Sequence, residues 1–157
     1  MALGSFFPPE VVAASIRRQL SSGTVIKVRQ VMDDGLEHEK RFVVVHVEGE
    51  TTTCVINSNI PNMVQKNARL LKCQVSIAKA DHTFMDRDSH IDCSRIRRYA
   101  TDTVCKQLES DPALILGKIT PDLRDSICAA LKCSPLIAPA DLKTCLASLD
   151  AANLTPE

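Results

Sequence analysis

Arg41-Phe42-Val43-Val44-Val45-His46-Val47, then Glu48-Gly49-Glu50, then Thr51-Thr52-Thr53-Cys54-Val55-Ile56-Asn57 is the stretch on which the fold turns. The first run is almost wholly apolar and β-branched, the pattern of a strand covered on both faces. Glu48-Gly49-Glu50 supplies the turn, and the second β-branched run is the returning strand of a hairpin. Upstream, Thr24–Val31 alternates around Lys27 and predicts a strand. Asp33, Asp34 and Gly35 open a polar loop running to about Glu39, which places His38 near a loop tip. Before that strand, Pro8 to Leu20 predicts a helix with Val12, Ile16 and Leu20 on one stripe, ended by Ser21, Ser22 and Gly23.

Downstream of the hairpin, Asn59, Pro61 and Asn62 break the pattern before a short connection to Asn67. Leu71, Cys73, Val75 and Ile77 alternate with polar residues and predict a strand with one buried face. Ser89–Arg95 predicts a weaker, more polar strand. The period then changes. Thr101–Glu109 spaces Val104, Cys105 and Leu108 as a helix does, and Thr120-Pro121-Asp122 combines a cap, a first-position proline and a first-turn acid. Leu123, Ile127, Ala130 and Leu131 give that helix its buried stripe. Pro135 and Pro139 separate it from a last helix at Ala140–Leu149, with 151–157 expected to fray. The expectation is one α+β domain. A small, strongly curved antiparallel sheet or barrel spans residues 24–98, an added helix covers 8–20, and a helical tail covers 101–149.

Composition bounds the function classes. The 157 residues are 45% hydrophobic, enough for one ordinary core. Nineteen basic residues balance nineteen acidic ones, so a polyanion must be held by a local patch and not by an overall field. One Tyr, four Phe and no Trp leave little for a broad base-stacking platform. The seven cysteines are odd in number, lack a Cys-x-x-Cys pair and sit in apolar segments, which argues against both a disulfide framework and a zinc site. The Asp33-Asp34-Gly35 loop is too short and ligand-poor for calcium. No metal or cofactor is expected. The first residues lack the pattern of a signal peptide, and no apolar run reaches the about 20 residues of a spanning helix. These features place the chain in a reducing, cytoplasmic compartment with no membrane partner.

The stretch from Asp88 to Arg98, with Ser94-Arg95-Ile96-Arg97 inside it, leads on to Gly117-Lys118-Ile119-Thr120-Pro121-Asp122 and a helix ending in Ala130-Leu131. This order resembles the PemK/MazF toxin family. There a strand ending in Ser-x-Ile-Arg leads through a short helix to a Gly-x-Ile-Thr-Pro-acid element. Arg41-Phe42-Val43-Val44-Val45 is similar to the family's strand that opens on arginine, and Val55–Ile60 to its Ser/Thr-containing strand end. The resemblance covers Thr24 to Leu136; the helices at Pro8–Leu20 and Ala140–Leu149 are additions to it. It implies an SH3-like barrel, usually a homodimer, acting as a metal-independent endoribonuclease on single-stranded RNA and neutralised by an antitoxin protein.

Such cleavage needs a base for the 2′-hydroxyl, an acid for the leaving oxygen and a donor for the phosphorane charge. Arg41 falls at the family's strand-start arginine, and its guanidinium fork suits a phosphate. Asn57 and Ser58 fall where the family places a hydroxyl against the scissile phosphate. His82 and His90 are the candidate acid and base, since histidine titrates near neutrality. His46, in the buried strand, reads as a satisfied core residue. Lys40, Lys66, Arg69, Lys72, Arg95, Arg97 and Arg98 are the candidate RNA-binding patch. One related subgroup carries an Arg and an Asp two apart on the late strand; Asp92 and Ser94 stand there instead. Cys93 reads as a structural thiol. The alternative function is a non-catalytic binding module on the same barrel, as a degenerate toxin or a CcdB-like, protein-directed one.

Overall fold

The hairpin at the centre of the sequence is the centre of the structure. In the computed structural model, which describes residues 7–155, β2 (Glu37–Val47) and β3 (Glu50–Asn57) pair antiparallel, with Phe42 opposite Val55 and Val43 opposite Cys54. β1 (Thr24–Val31) lies along the other side of β2. The loop between them is shorter than the sequence suggested, so His38 sits within β2 opposite Gln30 and not at a loop tip. With β4 (Gln74–Ile77), β5 (Ser89–Asp92), β6 (Arg97–Ala100) and β7 (Ile115–Lys118), these strands form one seven-stranded sheet. Its order is β4-β5-β3-β2-β1-β7, with β6 also on β3. The sheet is antiparallel throughout and strongly curled into a half-barrel, giving the expected α+β, barrel-like fold.

The helices are α1 (Pro9–Gln19), the single turns α2 (Asn62–Gln65) and α3 (Ala68–Leu71), α4 (Thr101–Ser110), α5 (Pro121–Cys133) and α6 (Pro139–Asp150). They cover the sheet on both sides. On one face Val25, Val43, Cys54, Ile56 and Ile91 pack with Ile127 and Leu131 of α5 and Leu149 of α6. On the other, Ile26, Val28, Phe42, Val44 and Val55 pack with Ile16 and Leu20 near α1 and Val104 and Leu108 of α4. β2 therefore feeds two cores at once, which is why its sequence is an unbroken apolar run.

Three local devices differ from the sequence expectation. The first is a bulge at Val45: Val44 opposes Thr53, but His46 opposes Thr52. An extra residue on one strand turns the following side chains over. His46 accordingly leaves the α1/α4 core for the α6 side, where its Nε2 meets Glu48 Oε1 at 2.7 Å. The bulge backbone is satisfied by Ser22 Oγ, which donates to Val45 O at 3.1 Å, and by Gly23 N, which donates to Val44 O at 2.7 Å. The second is a step in what reads as one strand over 89–95. β5 pairs with the end of β3 and β6 with its beginning. Asp92 fixes the step: its Oδ1 accepts from the Ser94 backbone N–H at 3.0 Å and the Ser94 hydroxyl at 2.5 Å. The third is β7, a four-residue strand within the segment read as helical tail, too short to carry an alternation.

Leu154, in the segment expected to fray, is better held than expected. Leu154 is 8% exposed and packs in the α5/α6 core, over Gly23 at φ +90. A Cβ at position 23 would collide with the Leu154 side chain, so only glycine serves both the left-handed backbone and the close approach. Residues 156–157 of the segment expected to fray lie outside the described residues. Leu154→Ala is expected to lower stability by about 2 kcal/mol or more, read as the urea midpoint at constant m-value. An unchanged midpoint means that the tail contributes no packing.

Candidate functional site

Side chains alternate across a strand, so β2 and β3 sort the candidate residues by face. Arg41 opposes Ile56, on the side of the α5/α6 core. Here the ends of β2 and β3 and the loop between β4 and β5 enclose a cleft of about 250 Å³. Arg41, Ser58, Glu39, Lys40, Asp86, Arg87 and Ser89 line it. Arg41 Nη2 donates to Asp86 Oδ2 at 2.8 Å, and its Nε is buried with no acceptor among the described residues. The Arg41 side chain is 20% exposed and that of Asp86 65%. The guanidinium is thus anchored while its carboxylate partner stays in water. Arg41 holds the Asp86 carboxyl below the usual carboxylate range, first by hydrogen bond and then by charge. Glu39 meets Lys27 Nζ at 3.3 Å across β1 and β2.

Asn57 and His90 fall on the opposite face. They oppose one another across β3 and β5, and Asn57 Oδ1 accepts from Lys40 Nζ at 3.0 Å. Burial, then the charge of Arg97, lowers the pKa of Lys40. Arg41 and Ser58 therefore share one cleft, which Lys40 also lines, while the Asn57 side chain accepts from Lys40 and Asn57 stands opposite His90. Asn57 and Ser58, adjacent in sequence, serve different sides.

The basic residues expected to form one patch are dispersed. Arg97 grips Asp33 through two bonds of 3.0 Å, and Arg95 approaches the same carboxylate at 3.8 Å. Arg98 faces the other way and meets Asp141 of α6 at 2.7 Å. Lys66, Arg69 and Lys72 lie exposed around α2 and α3, with no carboxylate partner among the described residues.

His82 is in neither group. It is 5% exposed, and its Nε2 accepts a hydrogen bond from the backbone N–H of Thr120, the N-cap of α5, at 3.2 Å. In the neutral ring the proton then lies on Nδ1, which is buried without a partner. Burial lowers its pKa. His82 is one of several pins on the loop between β4 and β5. Lys79 N donates to Asp88 Oδ1 at 2.9 Å across the loop base, Met85 is buried in the core, and Asp86 holds Arg41. Asp86 and Arg87 read in sequence only as a polar loop; nothing in the local pattern says that this loop closes over the start of β2.

Other candidates have structural roles. Asp92 and Ser94 hold the step between β5 and β6, and Asp92 also accepts from Gln74 Nε2 at 2.9 Å. Cys93 is buried beside Cys54, and its thiol is pushed well above its ordinary pKa by that contact and by burial, the reverse of an activated nucleophile. His46 is half-buried at the rim and not within the core. All seven cysteines are free thiols. Among the described residues no cluster of three or more His, Cys, Asp or Glu is placed to hold a metal ion, and no helix is long and apolar enough to cross a membrane. No protein-family model matches the chain, and no curated protein matches it.

Because His82 is held neutral, its folded pKa lies below the unfolded value of about 6.5. The unfolded chain then binds the proton first, so its contribution is complete above that value and is lost as pH falls through it. His82→Ala is expected to cost about 1–3 kcal/mol at pH 7.5, since the Thr120 N–H loses its acceptor. It is also expected to flatten the decline in stability between pH 7 and 5. Urea titrations of both proteins across that range provide the check, and parallel profiles would contradict the assignment.

Proposed function

We propose that the chain is a PemK/MazF-like toxin, a metal-independent endoribonuclease that cleaves single-stranded RNA at the cleft of Arg41 and Ser58. The observation that carries this reading is that these two residues, one in β2 and one just after β3, line one cleft. Arg41 falls at the family's strand-start arginine, and Ser58 is the hydroxyl-bearing member of the Asn57–Ser58 pair at the strand end where the family places a hydroxyl against the scissile phosphate. A guanidinium fixed in a partly dry site stabilises developing phosphorane charge more than one in water. The Ser58 hydroxyl supplies a short donor to a phosphate oxygen. Neither His82 nor His90 lines this cleft, so proton transfer falls to its carboxylates, Glu39 and Asp86. A second copy of the chain completing an RNA groove, an antitoxin protein covering it, and a cytoplasmic site of action belong to the same proposal. The free thiols fit a reducing compartment.

A second reading, a binding module that holds RNA or protein without cutting, is favoured by the absence of both histidines from the cleft. Asp86, held below the usual carboxylate range, is also a weak base. Mixed-sequence single-stranded RNA incubated in EDTA separates the two. Cleavage leaving cyclic-phosphate ends, reduced by about 100-fold or more in Arg41→Ala and unchanged in His90→Ala, is the expected result. A folded protein that leaves the RNA intact at high concentration contradicts it; retarded but uncut RNA identifies the binding module.

A further inference from the structure

A second cavity, of about 440 Å³, lies on the other side of the loop between β4 and β5. Asp81, His82, Thr83 and Phe84 line it, whereas the next three residues, Met85, Asp86 and Arg87, line the Arg41 cleft. Its remaining walls are the end of α1, the start of β1, and β7. Its volume is within the usual range for small-molecule sites.

The walls divide into three chemical parts. Phe84 and Ile115 give an apolar side. The Phe84 ring lies so close over Gly117 that a Cβ there would meet ring carbons at 2.8 and 2.9 Å. The ring is held by that contact and by an edge-on contact with His82, with centroids 5.7 Å apart. Gln19, Ser21 and Thr24 give a polar side. Arg18 and Lys118 give a cationic side; neither has a carboxylate partner among the described residues, and Lys118 Nζ donates only a long bond, 3.4 Å, to the Thr155 carbonyl. That contrasts with Arg17, Arg41, Arg97 and Arg98, each of which holds an acid. His82, kept neutral by burial, adds no charge. Asp81, exposed, is the one acid lining the cavity.

We propose that this cavity binds a nucleoside monophosphate, with the base against Phe84, the sugar toward Gln19, Ser21 and Thr24, and the phosphate between Arg18 and Lys118. A flat ring, a hydroxylated middle and an anionic end match the three walls in kind. Base–aromatic stacking and charge-assisted bonds to phosphate are each individually substantial. The proposal rests on the cavity alone and holds whether or not the Arg41 cleft cleaves RNA. The helix that contributes Arg18 and Gln19 is one of the parts added to the barrel.

Calorimetric titration of the whole chain with AMP, GMP, CMP and UMP, each against inorganic phosphate and the matching nucleoside, tests it. The histidine ring resonances are followed in parallel. At least one nucleotide is expected to bind more tightly than either fragment and to shift the His82 signal. Arg18→Glu, at an exposed and unpaired position, is expected to weaken that binding about tenfold or more, the loss of one charge-assisted contact. Arg41→Ala is expected to leave it unchanged. No binding at millimolar nucleotide, phosphate binding as tightly as nucleotide, or equal binding by Arg18→Glu each overturns the proposal.

Discussion

The middle of β2, Phe42 to Val45, is buried on both faces, and the remainder of the architecture follows from that constraint. A strand with cores above and below cannot slip by one residue without exchanging its two sets of side chains. Val43 belongs with α5 and α6, and Phe42 and Val44 with α1 and α4. The same alternation, carried to the strand's start, sends Arg41 to one side and Lys40 to the other. Pairing with β3 extends the division to Ser58 and Asn57, and pairing with β5 extends it to His90. Within β2 the alternation is broken at the bulge at Val45. Its effect is to take His46 out of the α1/α4 core and to bring its Nε2 to Glu48.

Charge is used here chiefly to tie elements together. Arg97 and Asp33 join β6 to the β1–β2 turn, Arg98 and Asp141 join β6 to α6, and Arg17 and Asp102 join α1 to α4. The mutual neutralisation explains how a chain of zero net charge carries so many arginines without a broad basic surface. Exposed pairs of this kind contribute little stability individually. Their consequence is geometric, since an arginine already committed to a carboxylate is less available to a phosphate. Arg41, like Arg97, is largely buried while its carboxylate partner remains in solvent, and it lines the cleft between the strand ends and the β4–β5 loop. A ligand phosphate can compete for a guanidinium placed in that way.

Much of the fold was legible because the periodicities are strong. The central hairpin, β1, the caps of α5 and the two covering stripes in α1 and α4 all follow from apolar spacing and turn chemistry. β7 and the division of β5 from β6 were not legible. A four-residue strand has too few positions for a period, and the step at Asp92 depends on a hydrogen bond from Ser94 that pattern alone does not reveal. For the site, Arg41 and Ser58 could be named from the strand that opens on arginine and the strand end. That Asn57 and Ser58 part company, that His82 serves Thr120, and that Asp86 reaches Arg41 are tertiary facts. The last two depend on a loop whose position is set by a buried methionine and by contacts distant in sequence.

The most direct test of this account is a side-chain NMR titration of the folded protein with a short single-stranded RNA. It would follow the Arg41 Nε–H signal, assigned by comparison with Arg41→Lys, and the ring signal of His90. The account predicts that RNA shifts Arg41, on the cleft face, and leaves His90, on the opposite face, in place. A shift at His90 with Arg41 unmoved, or no shift at either, would contradict it.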